Sequence, residues 1–486
     1  MKRAISLFLV PFLLLGGLQV SALEKEERLW QDETIYYILV DRFLNGDESN
    51  DYDVDLQNAN AYYGGDFLGI INKLDYLKDM GFTTIALSSI FDNGGQSYRG
   101  EQVVDFYETE KHFGTNEDFK RLIKEAHKRE MKVMLEFIAD SVSEEHEWVK
   151  DTAKSGYFQG DSLKLNHTNE QLSEELIAAA KWWIEETDID GYYIDHAQAA
   201  PSFFWKAFAE EVKETKKDFY ILGSVTEGAI FDEESFDGMV DLTLMEELRP
   251  AFANIDVDLA EVINATEKGL TQYTHPEQNG KVLDTINSPR FTRDIVGTDL
   301  YPGTRWNLAL AYSYTTPGVP FILYGSEIAL DGGEAPDNQK LMGFRADKEL
   351  IDYVTNLGRL RQELPALTRG SFEVLHQEGG FVVYKRVYES EVLVVAINNT
   401  SKTQEVTIPV EKLEDDKELR GLLAGDLVRQ LENGDYKIII DREAAEIYAL
   451  ADNAGLNMGF IAALTLVWVS FAVFILLVMK RSKQRK

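Results

Sequence analysis

The chain contains no cysteine, which excludes disulfides, thiolate metal sites, iron–sulfur clusters and cysteine nucleophiles together. Positive charge is scarce as well. Lys and Arg total 49 against 83 Asp and Glu, a formal net charge of −34, and a polyanion of this kind is a poor nucleic-acid binder. Internal repeats and low-complexity tracts are lacking. What is there is an ordinary globular mixture, 44% hydrophobic and 27% charged over 486 residues, long enough for two or three domains with sizeable cores. Stability must come from packing, with an oxygen-ligated metal as the one staple this composition still allows.

Two long apolar runs sit at the ends. Residues 1–22 read as a secretory signal, with Lys2 and Arg3 as the charged start, Ala4 to Leu18 as the apolar stretch and Val20-Ser21-Ala22 as the cleavage site. A second segment, within 459–479, runs from Phe460 to Met479 with only Thr465 and Ser470 as polar side chains, a length that spans a hydrocarbon core. The tail KRSKQRK (480–486) follows with five basic residues and no acidic one, which by the positive-inside rule holds it in the cytoplasm. The expected topology is a cleaved signal, an extracellular domain and a single-pass C-terminal anchor at the cell membrane. An uncleaved N-terminal anchor and a buried core helix are the competing readings of the two runs; both leave the domain outside.

Between Thr34 and Arg361, short β-rich runs alternate with longer helical patterns, the mark of parallel βα units. Eight strands are expected, at TIYYILV from Thr34, TTIALSS from Thr83, KVMLEF from Lys132, DGYYID from Asp190, FYILG from Phe219, GMVDL from Gly238, KVLD from Lys281 and PFILYG from Pro320. Each but the sixth is followed promptly by a helical pattern. In 116–130, Phe119, Leu122, Ile123 and Ala126 recur at helical spacing with charges on the other face. Eight such units imply a closed (β/α)8 barrel over 23–365, an α/β fold, with the irregular stretch 141–171 after the third strand forming a loop domain on the active face. From 366 to 450 the texture changes to alternating strands such as FVVYKRVY, EVLVVAINN and YKIIID, a separate antiparallel β-sandwich, and 451–458 is a short polar linker to the membrane helix.

The order and wording of these units resemble the α-amylase family of glycoside hydrolases along nearly the whole exposed chain. The segments carrying the resemblance are YYILVDRFLNGD, YYGGDFLGIINKLDYLKDMGFTTIAL, DFYETEKHFGTNEDFKRLIKEAHKREMKVML, KWWIEETDIDGYYID and TPGVPFILYGSEIAL. The resemblance implies a barrel with a loop domain, a C-terminal sandwich, and retaining chemistry on α-glucosidic bonds performed at the strand C-termini. Such chemistry needs a nucleophilic carboxylate and a carboxylic acid about 5 to 5.5 Å apart across the scissile bond.

Carried over residue by residue, the family's signatures are largely replaced. The nucleophile position is Asp195, which is retained, but the Arg that the family places two residues earlier is Tyr193, so the carboxylate lacks its cationic neighbour. The general-acid position after strand five is Ser224, whose hydroxyl cannot protonate a leaving alkoxide near neutral pH. After strand seven the family's Asn-His-Asp becomes Thr285-Ile286-Asn287, replacing the transition-state stabiliser by an amide. The strand-three Asp, Asn and His positions hold Glu136, Asp140 and Ser141, and Arg99 and Glu101 stand where a His-Gly-Tyr would frame the site. The reading is a glucan-binding pseudoenzyme of carbohydrate metabolism. The alternatives are an atypical α-glycosidase using Asp195 with Glu227 as relocated acid, or with Asp284 or Asp140 as further carboxylates, and a scaffold for another membrane protein. The last follows amino-acid transporter heavy chains, which also resemble amylases without the catalytic set.

Hard oxygen donors gather early in the chain. Asn45, Asp47, Asn50 and Asp51 in NGDESND, with Gly64 and Asp66 in GGD, suit a structural Ca2+, and the resemblance implies the same ion at this loop. A second family calcium is not expected, because its carried-over position is Ala199. For an α-glucan or malto-oligosaccharide partner, Tyr62, Tyr63, Tyr98, Tyr193 and Trp148 are the aromatic surfaces on expected loops and strand ends, whereas Trp182 and Trp183 read as core.

Overall fold

The computed structural model describes residues 28–95, 97–225, 234–345, 348–453 and 458–483. The expected signal at 1–22 and Glu227 lie outside the described residues. Eight short parallel strands form the first sheet: β1 (Ile35–Ile38), β2 (Thr84–Leu87), β3 (Lys132–Glu136), β4 (Gly191–Ile194), β5 (Tyr220–Gly223), β6 (Gly238–Met239), β7 (Gly280–Lys281) and β8 (Val319–Leu323). Their order is β6-β5-β4-β3-β2-β1-β8-β7, and a parallel bridge between Val240 and Gly280 closes the ring. The strands are buried on both faces, which is why they read as continuous apolar runs rather than alternating ones.

The helix expected at 116–130 forms over Asn116–His127, opened by a capping box between Thr115 and Asp118, and it buries Phe119, Leu122, Ile123 and Ala126. The sixth strand differs from expectation. It is followed at once by the helix Leu242–Ala253, capped by the Asp241 carboxylate on the Leu244 amide and burying Leu244, Leu248 and Phe252. Pro250 stands inside the helix on its exposed face, and a proline there argues against a helix from sequence, which obscured the pattern. The excursion after β3 folds on itself through bridges Ser141–Lys164 and Phe158–Leu165. Trp183 is fully buried, as read, and its indole donates to the Phe106 carbonyl at 2.6 Å.

The C-terminal unit pairs a six-stranded antiparallel sheet with a two-stranded one. The larger sheet contains β9 (Ser371–Glu378), β10 (Phe381–Tyr388), β11 (Glu391–Asn398), β13 (Lys417–Gly421), β14 (Leu427–Arg429) and β16 (Ala444–Asp452); β12 (Gln404–Ile408) pairs with β15 (Tyr436–Ile440). Alternation divides the work of β10 and β11. Val383, Val394 and Ala396 face Ile408, Tyr436 and Ile438 inside the sandwich, while Val382, Tyr384, Val395 and Ile397 join the barrel's core. A last helix, Met458–Lys483, contains a stretch, Ile461–Arg481, long and apolar enough to cross a membrane, with none of it buried against the protein.

Barrel and sandwich meet at the C-terminus of the helix Pro302–Thr315. Three buried cations satisfy its carbonyls and those just beyond: Lys281 donates to the Thr316 carbonyl at 2.6 Å, Arg361 to Tyr314 at 3.2 Å and Gly318 at 2.8 Å, and Arg386 to Thr315, to Leu367 at 3.0 Å and to Gly370 at 2.9 Å. Burial and the two neighbouring guanidinium groups push Lys281 well below the usual lysine range. Replacing Arg386 with Leu strands several buried carbonyls at once. The expected loss is about 3 kcal/mol or more, read as a lower urea midpoint, with Arg386→Lys falling between variant and wild type; an unchanged midpoint in Arg386→Leu would contradict this assignment.

Candidate active site

The parallel register places the decisive positions side by side at the strand C-termini. Glu136 pairs with Tyr193 across β3 and β4, Ile194 pairs with Gly223 across β4 and β5, and the Ser224 amide donates to the Ile194 carbonyl at 2.8 Å. Asp195 and Ser224 therefore leave adjacent strands together. The loop from Asp284 to Asn287, which follows β7, closes the same side.

Asp195 is engaged on both oxygens. Oδ1 accepts from the His196 amide at 3.0 Å and from the Tyr193 hydroxyl at 3.4 Å, and Oδ2 accepts from Asn287 Nδ2 at 3.0 Å. Asn287 is itself oriented by Arg99, whose Nη2 donates to its Oδ1 at 2.7 Å and also pairs with Glu101 at 2.6 Å. Asn287, expected at the stabiliser position, thus occupies the carboxylate of Asp195, expected at the nucleophile position. Asp284 is committed elsewhere, accepting from the Phe291 amide and from Ser326 Oγ at 2.8 Å, 3.6 Å from Arg290. Asp140, half-buried, has its Oδ1 3.4 Å from Ser141 Oγ.

Two spaces meet here. An outer groove of about 640 Å3 is lined by Tyr98, Arg99, Glu101, Ser143, Glu144 and Glu145, among others. An inner cavity of about 220 Å3 has Asp195, Ser224 and Asn287 on its polar side. The Arg99–Asn287 hydrogen bond joins a groove residue to a cavity residue and stands between them.

The aromatic candidates are mostly spent on packing. Tyr62 is 2% exposed, its ring stacked on His112 at 3.7 Å, so it is a core ring and not a sugar platform. Trp148 is likewise buried, edge-on to Tyr157. Tyr63 and Tyr98 each give a face to Arg42, whose guanidinium carbon lies 3.6 and 3.8 Å from the two ring centres, and the Tyr98 hydroxyl contacts Gln339 Oε1 at 2.5 Å. Tyr98 still lines the outer groove, and Tyr193 lines the inner cavity.

The early loop brings part of its oxygen set together. Asn45 Nδ2 lies 2.8 Å from both oxygens of Asp51, and Gly64 packs against both residues: a Cβ there would lie 2.6 Å from Asp51 Oδ1, at φ +85°. Asn50 Oδ1 is buried without a hydrogen-bond partner. That orphaned oxygen, with Asn45, Asp51 and Gly64, fits a hard cation. Asp66 instead caps the next helix, accepting from the amides of Gly46, Asp47 and Gly69, and Asp47 accepts from Ser49 in an exposed turn. Among the described residues no group of three or more Asp, Glu, His or Cys could hold a metal, so a metal in the early loop would rest on amide and carbonyl oxygens with one carboxylate. Ala199 sits exposed after Asp195 and has no ligating side-chain atom.

Sequence reasoning missed Tyr37. From β1 its hydroxyl donates to Glu136 Oε2 at 2.6 Å, and its ring meets Tyr193 edge-on; only its position within TIYYILV hinted at the barrel interior. Burial first, and the Asp195 charge next, push the Glu136 carboxyl up to about 8. The folded state thus holds a proton that the unfolded chain releases, and stability falls as pH rises from the ordinary carboxylate range toward about 8, then levels. Glu136→Gln should remove this contribution, so the wild-type thermal midpoint declines relative to the variant's across that window; parallel curves would refute it.

The family models match in two places, an α-amylase catalytic domain at residues 37–161 and an α-amylase C-terminal domain at 370–448. A cyclomaltodextrinase from Geobacillus thermopakistaniensis is 28% identical over 427 residues, covering 79% of this chain and 71% of that protein. The Paenibacillus polymyxa beta/alpha-amylase is 27% identical over 459 residues, and the match spans only 38% of its length. Among solved structures, an Anoxybacillus α-amylase is 47% identical with TM-score 0.85, and the Geobacillus thermoleovorans α-amylase, complexed with acarbose, is 42% identical with TM-score 0.82. Each of these two matches covers 88% of this chain and 100% of the other. With that identity over the whole of both α-amylases, the chain belongs to the α-amylase family.

Proposed function

We propose that this chain is a membrane-anchored extracellular α-glucan-binding protein in which the family's hydrolytic apparatus is disabled. The observation that carries the reading is the hydrogen bond from Asn287 to Asp195 Oδ2, locked by Arg99, opposite a Ser224 that has no carboxyl group. A carboxylate so engaged faces a hydroxyl at the expected acid position, where a double displacement needs a carboxyl group. Relatives named as α-amylase and cyclomaltodextrinase support a glucan ligand, and the outer groove is the surface offered for it. The apolar helix ending in Lys480 and Arg481 supports the anchor with its basic tail inside.

Purified full-length protein should release reducing sugar from malto-oligosaccharides at a rate near blank, equal in wild type and Asp195→Ala. Loss of general acid catalysis alone removes about 10²- to 10⁴-fold. Hydrolysis well above blank that vanishes in Asp195→Ala would overturn the reading. Retained malto-oligosaccharide binding by calorimetry is the positive half of the test.

A structural Ca2+ belongs to the same proposal, held by Asn45, Asn50, Asp51 and the Gly64 carbonyl, where it would tie the early loop to the loop that follows Tyr63. EDTA should lower the thermal midpoint and added Ca2+ restore it, a response lost in Asn50→Ala/Asp51→Ala but kept in Asp47→Ala. An EDTA-insensitive midpoint would remove the ion from the reading.

A further inference from the structure

The inner cavity differs chemically from the groove outside it. One side of it is apolar, made by Val240, Leu242, Met245, Val282, Phe321 and Leu323, while Asp195, His196, Ser224, Asp284, Thr285 and Asn287 supply the polar side. A pyranose hydroxyl turned to the apolar side would go unpaired, at about 1 to 3 kcal/mol for each one. The space suits a ligand with an apolar body.

Two carboxylates line the cavity, and since Asp284 is engaged by the Phe291 amide, Ser326 and Arg290, Asp195 is the one left facing neutral donors. Asp195 accepts hydrogen bonds from an amide N–H, a carboxamide and a phenol, all neutral, and Tyr193 stands where a guanidinium would have balanced it. The nearby cations are committed: Arg99 to Glu101 and Asn287, Arg290 to Asp284 and to the Asn338 and Tyr324 carbonyls. His196 lies on the exposed side, its Nδ1 3.9 Å from Asp195 Oδ2. Low-dielectric walls leave such a charge poorly screened.

We propose that the inner cavity binds a small organic ammonium ion, its nitrogen on the Asp195 carboxylate and its apolar body against Val240, Leu242 and Phe321. Aromatic rings beside the carboxylate favour a cation further, through the negative faces of their π systems. At about 220 Å3 the cavity is below the usual range for drug-sized ligands, so the body is limited to roughly six to eight non-hydrogen atoms. This ligand class is distinct from the glucan assigned to the groove, and the two can be titrated separately.

The test uses the full chain in detergent, titrated by calorimetry with cyclohexylamine and with cyclohexanol, a neutral body of the same shape. Wild type should bind the amine at least about tenfold more tightly than the alcohol. Asp195→Asn should abolish that preference, and Leu242→Trp, which fills the cavity, should remove binding of both while malto-oligosaccharide still binds the groove. Equal affinity for amine and alcohol in wild type, no saturable amine binding up to about 10 mM, or amine binding undiminished in Asp195→Asn would each overturn the proposal. Loss of malto-oligosaccharide binding in wild type would count against the groove assignment alone.

Discussion

The C-terminus of the helix Pro302–Thr315 is buried between barrel and sandwich, and its carbonyls have no water to turn to. A helix end leaves four acceptors unpaired and carries a partial negative charge. Lys281, Arg361 and Arg386 arrive from β7, from the helix Lys348–Glu363 and from β10 to supply the donors. Three separate segments are thereby pinned to one point. The arrangement tolerates three neighbouring cations only because carbonyl oxygens surround them, and removing any donor would expose acceptors that nothing else reaches.

That foundation lies at the opposite ends of the strands from the candidate site, which explains how the site could change while the fold remained. Barrel closure depends on backbone pairing between short buried strands and on the apolar layers they share. Ser224 and Asn287 stand on loops beyond the strand ends, whereas Tyr193 lies within β4 and packs on Tyr37 and Phe321, so it belongs to the barrel core as well as facing the site. The substitutions also fit one another. Arg99 aligns the Asn287 amide, the amide satisfies Asp195, and Tyr193 contributes a neutral hydroxyl where a cation would otherwise balance the carboxylate.

Much of the architecture was readable because burial on both faces imposes a simple pattern. Six of the eight strands lie within the expected runs, β7 and β8 each begin one residue before theirs, and the helix Asn116–His127 buries the four residues its spacing selected. The helix after β6 was less visible, since it carries Pro250 in its interior, a residue that ordinarily ends a helix. Aromatic and acidic residues were harder to interpret. Tyr62 and Trp148 look alike as sugar surfaces or as core, and Asp66 looks alike as a metal ligand or a helix cap, because composition does not record which neighbours claim each atom.

By itself, the order of residues determined the eight-unit barrel, the separate sandwich and the apolar C-terminal helix. These follow from periodicity and residue type, which are local properties of the chain. Only the tertiary structure decided that Asn287 bonds Asp195, that Arg99 stands between groove and cavity, that Glu136 keeps its proton beside Tyr37, and that one side of the cavity is apolar. The reason is physical: each depends on side chains from different strands brought within hydrogen-bonding or contact distance, and on the water their packing excludes.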